Sequence, residues 1–151
     1  MPFYNPLQNK NLLFPKKYKD KVEGYCSTKP SGGKSEGPLF NPFKRQVDLW
    51  FLALSLGVKT GKRTKPKNSY RFIEGSVLAN SSHIIEIIEL IAISETKDPY
   101  IIGDAQKLTD IANEYAATGM DILFNAMKYR NNQEPFWNLV DYLKDNIAEE
   151  N

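Results

Sequence analysis

The densest group of side chains able to do chemistry is a run of cations that follows a very apolar segment. Between positions 59 and 71, six cations and no acid occur in thirteen residues: Lys59, Lys62, Arg63, Lys65, Lys67 and Arg71. Two more cations, Lys44 and Arg45, precede the same apolar segment. Clustered ammonium and guanidinium groups bind phosphates, and six neutralised phosphates would give a slope of about −5 in log affinity against log salt. We therefore predict that these eight residues form a nucleic-acid-binding site.

The apolar segment before the cations is predicted to hold them in a fixed position. Residues 49–56 (LWFLALSL) leave only a thin polar stripe, which predicts a helix buried on most sides. A loop that leaves a buried helix holds its cations in a fixed place. No base-reading motif accompanies them, so the sequence predicts contact with the DNA backbone rather than with base edges. Two alternatives stay open, namely a merely solvated face and a loop that binds an acidic protein surface.

The residue types needed for common catalytic centres are scarce. His83 is the only histidine and Cys26 the only cysteine, so neither a His pair nor a thiolate cluster can hold zinc. Gly33-Lys34-Ser35 resembles the end of a phosphate-binding loop, but Thr28 stands where the first glycine is required. A Cys26–His83 nucleophile pair would need a rigidly held base, which the surroundings of Cys26 do not predict. We predict no enzymatic activity, no cofactor and no metal.

Carboxylates offer one further catalytic alternative. Glu86 and Glu89 have helical spacing and are most simply the wet edge of an apolar helix. Glu95 and Asp98 lie in a polar cluster before Pro99 and could do acid–base chemistry. The plain role of that cluster is to end a helix and begin a turn. A small enzyme that uses Glu95 and Asp98 is therefore a third hypothesis, behind DNA binding and protein binding.

Charge is distributed unevenly along the chain, although the net charge is only +2. Residues 1–71 hold fifteen Lys or Arg against four Asp or Glu, a net +11, whereas residues 72–151 hold five against fourteen, a net −9. This asymmetry indicates that one half meets an anionic partner. The longest apolar runs are far shorter than the ~20 residues needed to cross a bilayer. No signal sequence is evident and the single cysteine suits a reducing compartment, so we expect a cytoplasmic location without membrane contact.

The first 42 residues differ from the rest in composition. They hold six of the nine prolines and the tract STKPSGGKSEG, with few aliphatic residues. Such a segment buries little apolar area against its ordering entropy, which predicts an extended basic arm over residues 1–42. Spaced aromatic residues in this arm are candidates for binding a partner protein: Phe3, Tyr4, Phe14, Tyr18 and Tyr25.

Residues 43–151 are predicted to form a small, mainly α domain with about four helices and one short strand. Gly57 suits a left-handed C-terminal cap for the first helix. Gly119 marks a possible break in the third, and Pro135 suits the first position of the fourth. The predicted elements are a helix from Asn41-Pro42 to Leu56, a weak strand over Tyr70–Leu78, and helices over His83–Glu95, Asp104–Tyr129 and Pro135 to the end.

Three stretches together resemble a small family found beside prokaryotic DNA phosphorothioation (Dnd) genes. They are FLALSLGVKTGKR (51–63), LIAISETKDPYII (90–102) and EYAATGMDIL (114–123), so the resemblance covers roughly residues 43–125. The family pattern has Lys-x-Gly-Lys-Arg after an apolar helix end, then Glu-Thr-Lys-Asp-Pro, then Glu-Tyr-Ala-Asn-Gly-Gly. Ala117 and Thr118 stand where the pattern has Asn and Gly, so a binding role for that turn does not carry over.

The resemblance implies an accessory protein of a bacterial antiviral defence or DNA-modification system that works beside a larger ATPase or nuclease. Combined with the basic run, it predicts a non-catalytic subunit that contacts the DNA backbone without sequence specificity and docks that larger protein. The alternative is a pure protein–protein adaptor, in which the basic loop meets an acidic face of its partner.

Overall fold

The computed structural model describes residues 4–29 and 32–147, except for the side chains of residues 70–72. The elements are, in chain order, β1 (Asn11–Pro15), α1 (Lys19–Val22), α2 (Gln46–Thr60), β2 (Ser69–Glu74), α3 (Ser82–Thr96), α4 (Ala105–Ala126) and α5 (Pro135–Asn146). β1 and β2 form one antiparallel pair with an irregularity between Leu12 and Leu13. The predicted mainly α fold is confirmed. No helix in the described part of the chain is long and apolar enough to cross a membrane.

The core is built around the crossing of α2 and α4. Trp50, Leu49 and Leu54 of α2 are fully buried, as the apolar run 49–56 predicts. The two helices approach so closely that a Cβ atom on Gly57 would lie 1.9 Å from the carbonyl oxygen of Tyr115. A Cβ atom on Gly119 would lie 1.5 Å from the carbonyl oxygen of Ala53. Each helix therefore needs a glycine at the crossing, because only hydrogen fits between the two backbones.

These two glycines correct two predictions. Gly57 does not cap α2, which continues to Thr60 and ends at Gly61 with a φ of 71° in the left-handed region. The helix at Gly119 is not broken, since α4 runs without interruption from Ala105 to Ala126. The local sequence predicts that each glycine ends or breaks a helix. In the structure each one instead allows α2 and α4 to pack closely where they cross.

Residues 5–26 pack on the rest of the domain, so the prediction of an extended arm is wrong for this part of residues 1–42. Leu12 and Phe14 alternate inward along β1 and are fully buried, as is Leu7. The Asn113 side chain fastens β1 to α4: it accepts from the Leu13 N–H at 2.8 Å and donates to the carbonyl oxygen of Asn11 at 3.1 Å. Few aliphatic residues occur here, but they occupy consecutive inward positions of a strand that pairs with β2 and lies on the main helix.

The remaining helices match their predictions closely. Asp104 caps α4 by accepting from the Lys107 N–H at 3.1 Å. Pro135 begins α5 as expected. Asn138 holds α5 against the end of α4, since its buried side chain donates to the Met127 carbonyl oxygen at 2.9 Å and accepts from the Arg130 N–H at 3.0 Å. The helical scaffold on which the basic loop is mounted was therefore predictable from sequence.

Candidate nucleic-acid interface

An open groove of about 1,100 Å³ lies beside the predicted basic loop. Its walls come from three segments: the turn that follows β1, the loop between α2 and β2, and the middle of α4. The charged residues that line it are Lys16, Lys17, Arg63, Lys65, Lys67 and Asp121. The groove thus gathers cations from two parts of the chain that are far apart in sequence, with a single acid among them.

Hydrogen bonds fix the loop at both ends. Thr64 donates its backbone N–H to the carbonyl oxygen of Glu114 at 3.1 Å, and its hydroxyl bonds that of Thr118 at 2.7 Å. At the other end, the Lys16 N–H donates to the carbonyl oxygen of Asn68 at 2.8 Å. The loop is therefore tied to α4 and to the end of β1, as the prediction of a fixed mounting requires. Thr118, which departs from the family pattern, makes one of these bonds from within α4 rather than from a turn.

Three lysines of the groove point to a binding function. Lys16, Lys65 and Lys67 are exposed, and among the described residues none of them has an acidic side chain within 4.0 Å. Lys62 is likewise exposed and lies in the same loop, although it does not line the groove. Unpaired lysines held on a fixed surface repel one another, and a polyanion relieves that repulsion.

Two other cations of the groove are already paired with acids of the chain. The Lys17 ammonium lies 2.8 Å from an Asp121 carboxylate oxygen, which also accepts a hydrogen bond from the Tyr18 hydroxyl. Arg63 Nε lies 3.5 Å from Glu95 Oε1, and its guanidinium is 6.0 Å from the centre of the Tyr115 ring. The electropositive surface is therefore weaker than a count of cations suggests.

Tyr115 completes the network around Arg63. Its hydroxyl donates to Glu95 Oε2 at 2.6 Å, so Glu95 is shared between a phenol and a guanidinium. Burial, and then the hydrogen bond to Glu95, raise the pKa of Tyr115, and the phenol stays protonated as a donor. Glu95 thus has two partners in the structure, and Asp98 accepts from the Tyr100 N–H at 2.9 Å. Both carboxylates of the third hypothesis are engaged in holding the fold.

Of the eight predicted cations, Arg63, Lys65 and Lys67 line the groove, whereas Lys44, Arg45, Lys59 and Lys62 do not. Lys44 and Arg45 precede α2, whose fifteen residues span about 22 Å, so they lie at the opposite end from the loop. Arg45 is also paired with Asp48 at 3.0 Å in a capping box. Arg71 belongs to β2, and its side chain is outside those described. The groove therefore does not include Lys44 and Arg45.

Sequence reasoning missed Lys16 and Lys17. They follow β1, and the pairing of β1 with β2 brings them beside Asn68 at the end of the basic loop. A strand assignment for residues 11–15 would have revealed them, since antiparallel pairing places the end of one strand at the start of its neighbour.

Three of the five aromatic residues predicted to bind a partner pack against their own domain. Phe14 is fully buried, and the Tyr18 ring stacks on Phe124 with centroids 4.2 Å apart. Tyr25 packs edge-on against the same Phe124 ring at 5.5 Å. Phe14 cannot bind a partner in this fold, and Tyr18 and Tyr25 are engaged with the domain itself. Tyr4 is 79% exposed, and Phe3 lies outside the described residues.

The candidate nucleophile is also part of the structure. Cys26 is fully buried, and burial raises the pKa of its thiol to about 12, so at neutral pH it is not a reactive thiolate. The His83 ring packs edge-on against Phe51 with centroids 5.9 Å apart. Within residues 4–29 and 32–147, no group of three or more His, Cys, Asp or Glu is placed to hold a metal ion.

The fold and the groove define a small helical protein with a cationic surface at one end of its central helix. The family model of DNA sulphur modification system-associated protein 4 matches residues 34–150. The chain belongs to that family, which confirms the resemblance to Dnd-associated proteins and extends it through α5. Comparisons with curated proteins and with solved structures gave no significant match.

Proposed function

We propose that this protein is a non-catalytic accessory subunit of a bacterial antiviral defence system and that it binds the DNA backbone in the basic groove. The family associates the chain with a DNA sulphur modification system, whose substrate is a polyanion. The single observation that carries the proposal is the meeting of unpaired Lys16, Lys65 and Lys67 in one fixed groove. We further propose that it acts in the cytoplasm, beside a larger ATPase or nuclease.

The chemistry of the groove favours phosphates over bases. Lysine ammonium groups are point charges without the planar fork that reads a base edge, and they neutralise phosphates in any sequence. The neighbouring Ser69 offers a hydroxyl that also suits phosphate oxygens. We therefore expect equal affinity for unrelated DNA sequences.

Salt dependence of DNA binding tests the proposal directly. Lys16, Lys62, Lys65 and Lys67 are the exposed cations of the groove and its loop that have no acidic partner among the described residues. About four phosphates are then neutralised, which gives a slope of about −3.6 rather than the −5 expected from sequence. The affinity for a random-sequence duplex, measured by fluorescence anisotropy, should fall by about 10²-fold over a fourfold rise in salt. Absence of binding at low salt, or affinity that does not respond to salt, would overturn the proposal.

The pairing of Arg63 with Glu95 predicts a gain of DNA affinity on mutation. Glu95→Gln keeps an acceptor for the Tyr115 hydroxyl but removes the charge that holds Arg63. We expect DNA binding to become about threefold tighter, since exposed ion pairs contribute up to about 1 kcal/mol. Asp98→Asn is the matched control, because it removes one negative charge nearby without touching Arg63. Equal gains in both variants would mean that only net charge matters.

The Arg63–Glu95 pair also favours the second candidate function. The basic loop already accepts a carboxylate of its own chain, so it could accept carboxylates of another protein. In that adaptor role the loop binds an acidic face of its partner and does not bind DNA. The adaptor function would be favoured if the protein bound no DNA duplex at any salt concentration and still bound an acidic protein of the same system.

A further inference from the structure

A second, mainly apolar surface lies on α3. Leu90 is 65% exposed although it sits in the middle of a helix, and Ile87 and Ile91 beside it are half-buried. With Val58 of α2 and Tyr115 of α4 they line a shallow groove of about 350 Å³. We name this surface, with Ser94 and Glu95 at its end, the apolar groove.

The dimensions of the apolar groove suit a helix. The apolar residues and Ser94 recur at positions 87, 90, 91 and 94, one face of α3 over two turns. This face is about 10 Å long, which matches the apolar stripe that a second helix presents at i, i+3, i+4 and i+7. An isolated exposed leucine needs no explanation, but a row beside a groove is typical of a docking surface.

The charged residues near the apolar groove indicate which kind of helix could bind there. Glu86 lies one turn from Leu90 on α3 and Glu89 lies one turn from Glu86, and among the described residues neither glutamate has a cationic side chain within 4.0 Å. They repel each other across one turn of helix. Burial, and then Glu86, raise the pKa of Glu89. A cationic neighbour would relieve this repulsion, and the chain itself supplies none in the described residues.

We propose that the apolar groove docks an amphipathic helix of a partner protein whose apolar stripe is flanked by Lys or Arg. Ile87, Leu90 and Ile91 contact the apolar stripe of the partner helix. Glu86 and Glu89 pair with its flanking cations. This proposal rests on the proposed accessory role in one respect, namely that a partner protein exists. The surface is separate from the lysines of the basic groove, so docking leaves DNA binding possible at the same time.

Synthetic helical peptides test the proposal without knowledge of the partner. The probe is a peptide of about five turns with leucines at i, i+3, i+4 and i+7 and lysines on both flanks. The comparison peptide carries glutamate in place of every lysine. The full chain should bind the lysine peptide at least about tenfold more tightly than the glutamate peptide, measured by anisotropy. Equal binding, preference for the glutamate peptide, or no binding to either would overturn the proposal.

Variants locate the binding. Leu90→Lys should weaken the lysine peptide about tenfold, and Glu86→Lys/Glu89→Lys should reverse the preference between the two peptides. Glu36→Lys/Asp110→Lys, which makes the same change in net charge at exposed positions elsewhere, should keep the original preference. Reversal by both pairs would mean that the peptide senses net charge only, and would overturn the site. Unchanged circular dichroism, and a change in DNA affinity of less than about fivefold, in all three variants separate this result from misfolding and from failure of the proposed DNA function.

A photo-crosslinking residue at position 90, in the chain co-expressed with the proteins of its modification system, tests the same surface in the native assembly. The crosslinked segment, identified by mass spectrometry, should be a cationic sequence with helical apolar spacing. An acidic or non-helical segment, a segment of a second copy of this chain, or no crosslink would contradict the proposal.

Discussion

Replacing Gly119 with alanine should destabilise the domain by about 3 kcal/mol or more, a large share of the stability of a domain of this size. The added Cβ atom would lie 1.5 Å from the carbonyl oxygen of Ala53 and 2.8 Å from the backbone nitrogen of Gly57. Both atoms belong to the backbone of α2, so no side chain can rotate away. The two helices must move apart, and the core around Trp50 loses its packing.

The sign of this effect is diagnostic. In an exposed helix interior, glycine to alanine stabilises by roughly 1 kcal/mol, so helix propensity alone predicts the opposite result. Gly24→Ala and Gly103→Ala are the controls, because a Cβ atom at either position meets nothing within 4 Å. Urea denaturation measures all three variants. If Gly119→Ala were as stable as Gly103→Ala, the close crossing of α2 and α4 would be wrong.

Reversing two charges in the basic groove should remove most of the DNA binding. Lys65→Glu/Lys67→Glu turns two unpaired cations into anions in the middle of the loop. We expect at least a 10²-fold loss of affinity at low salt and a slope smaller by about 2, because two phosphate contacts are lost and two repulsions are gained. Both side chains are exposed, so the stability of the domain should hardly change.

A control variant with the same net charge distinguishes the effect of the groove lysines on DNA affinity from the effect of the total charge of the protein. Lys107→Glu/Lys144→Glu reverses two exposed lysines, one on α4 near its start and one on α5. At physiological ionic strength their influence is screened beyond about 8 Å, so DNA affinity should fall by less than about fivefold. Equal losses in the two double variants would show that binding follows net charge and has no site.

Much of the scaffold could be predicted because its helices are strongly patterned. Ile84, Ile85 and Ile88 mark the buried face of α3, and Pro135 marks the start of α5. The role of Gly57 could not be predicted, since a glycine near a helix end favours a cap on local grounds. Only the partner helix decides otherwise, and its position is a tertiary fact. Gly119 presented the same difficulty.

The N-terminal segment was hardest to predict because burial there depends on a distant partner. β1 has five residues, and two of them, Leu12 and Phe14, are fully buried where the strand lies against α4. Composition averaged over 42 residues hid this short strand among prolines and polar residues. Because the strand was missed, Phe14 was predicted to bind a partner although it is buried in the core. For the same reason Lys16, which follows the strand, was not predicted to lie in the groove.

The candidate site could be predicted only in part, because some of its contacts depend on residues that are distant in sequence. Lys65 and Lys67 could be chosen from their local sequence, which has many cations and no acid. The pairing of Arg63 with Glu95 could not, since thirty-two positions separate them and only the packing of α3 brings them together. Local sequence therefore located the loop, whereas the fold decides which of its cations remain unpaired.

Chemical footprinting of lysines tests most directly whether the basic groove binds DNA. Acetylation of each lysine, measured by mass spectrometry with and without saturating duplex, reports which ammonium groups the DNA covers. We expect protection of Lys16, Lys65 and Lys67, with Lys44, Lys107 and Lys144 equally reactive in both states. Full reactivity of the groove lysines in a DNA-bound sample, or protection of Lys44 in their place, would contradict the assignment of the groove.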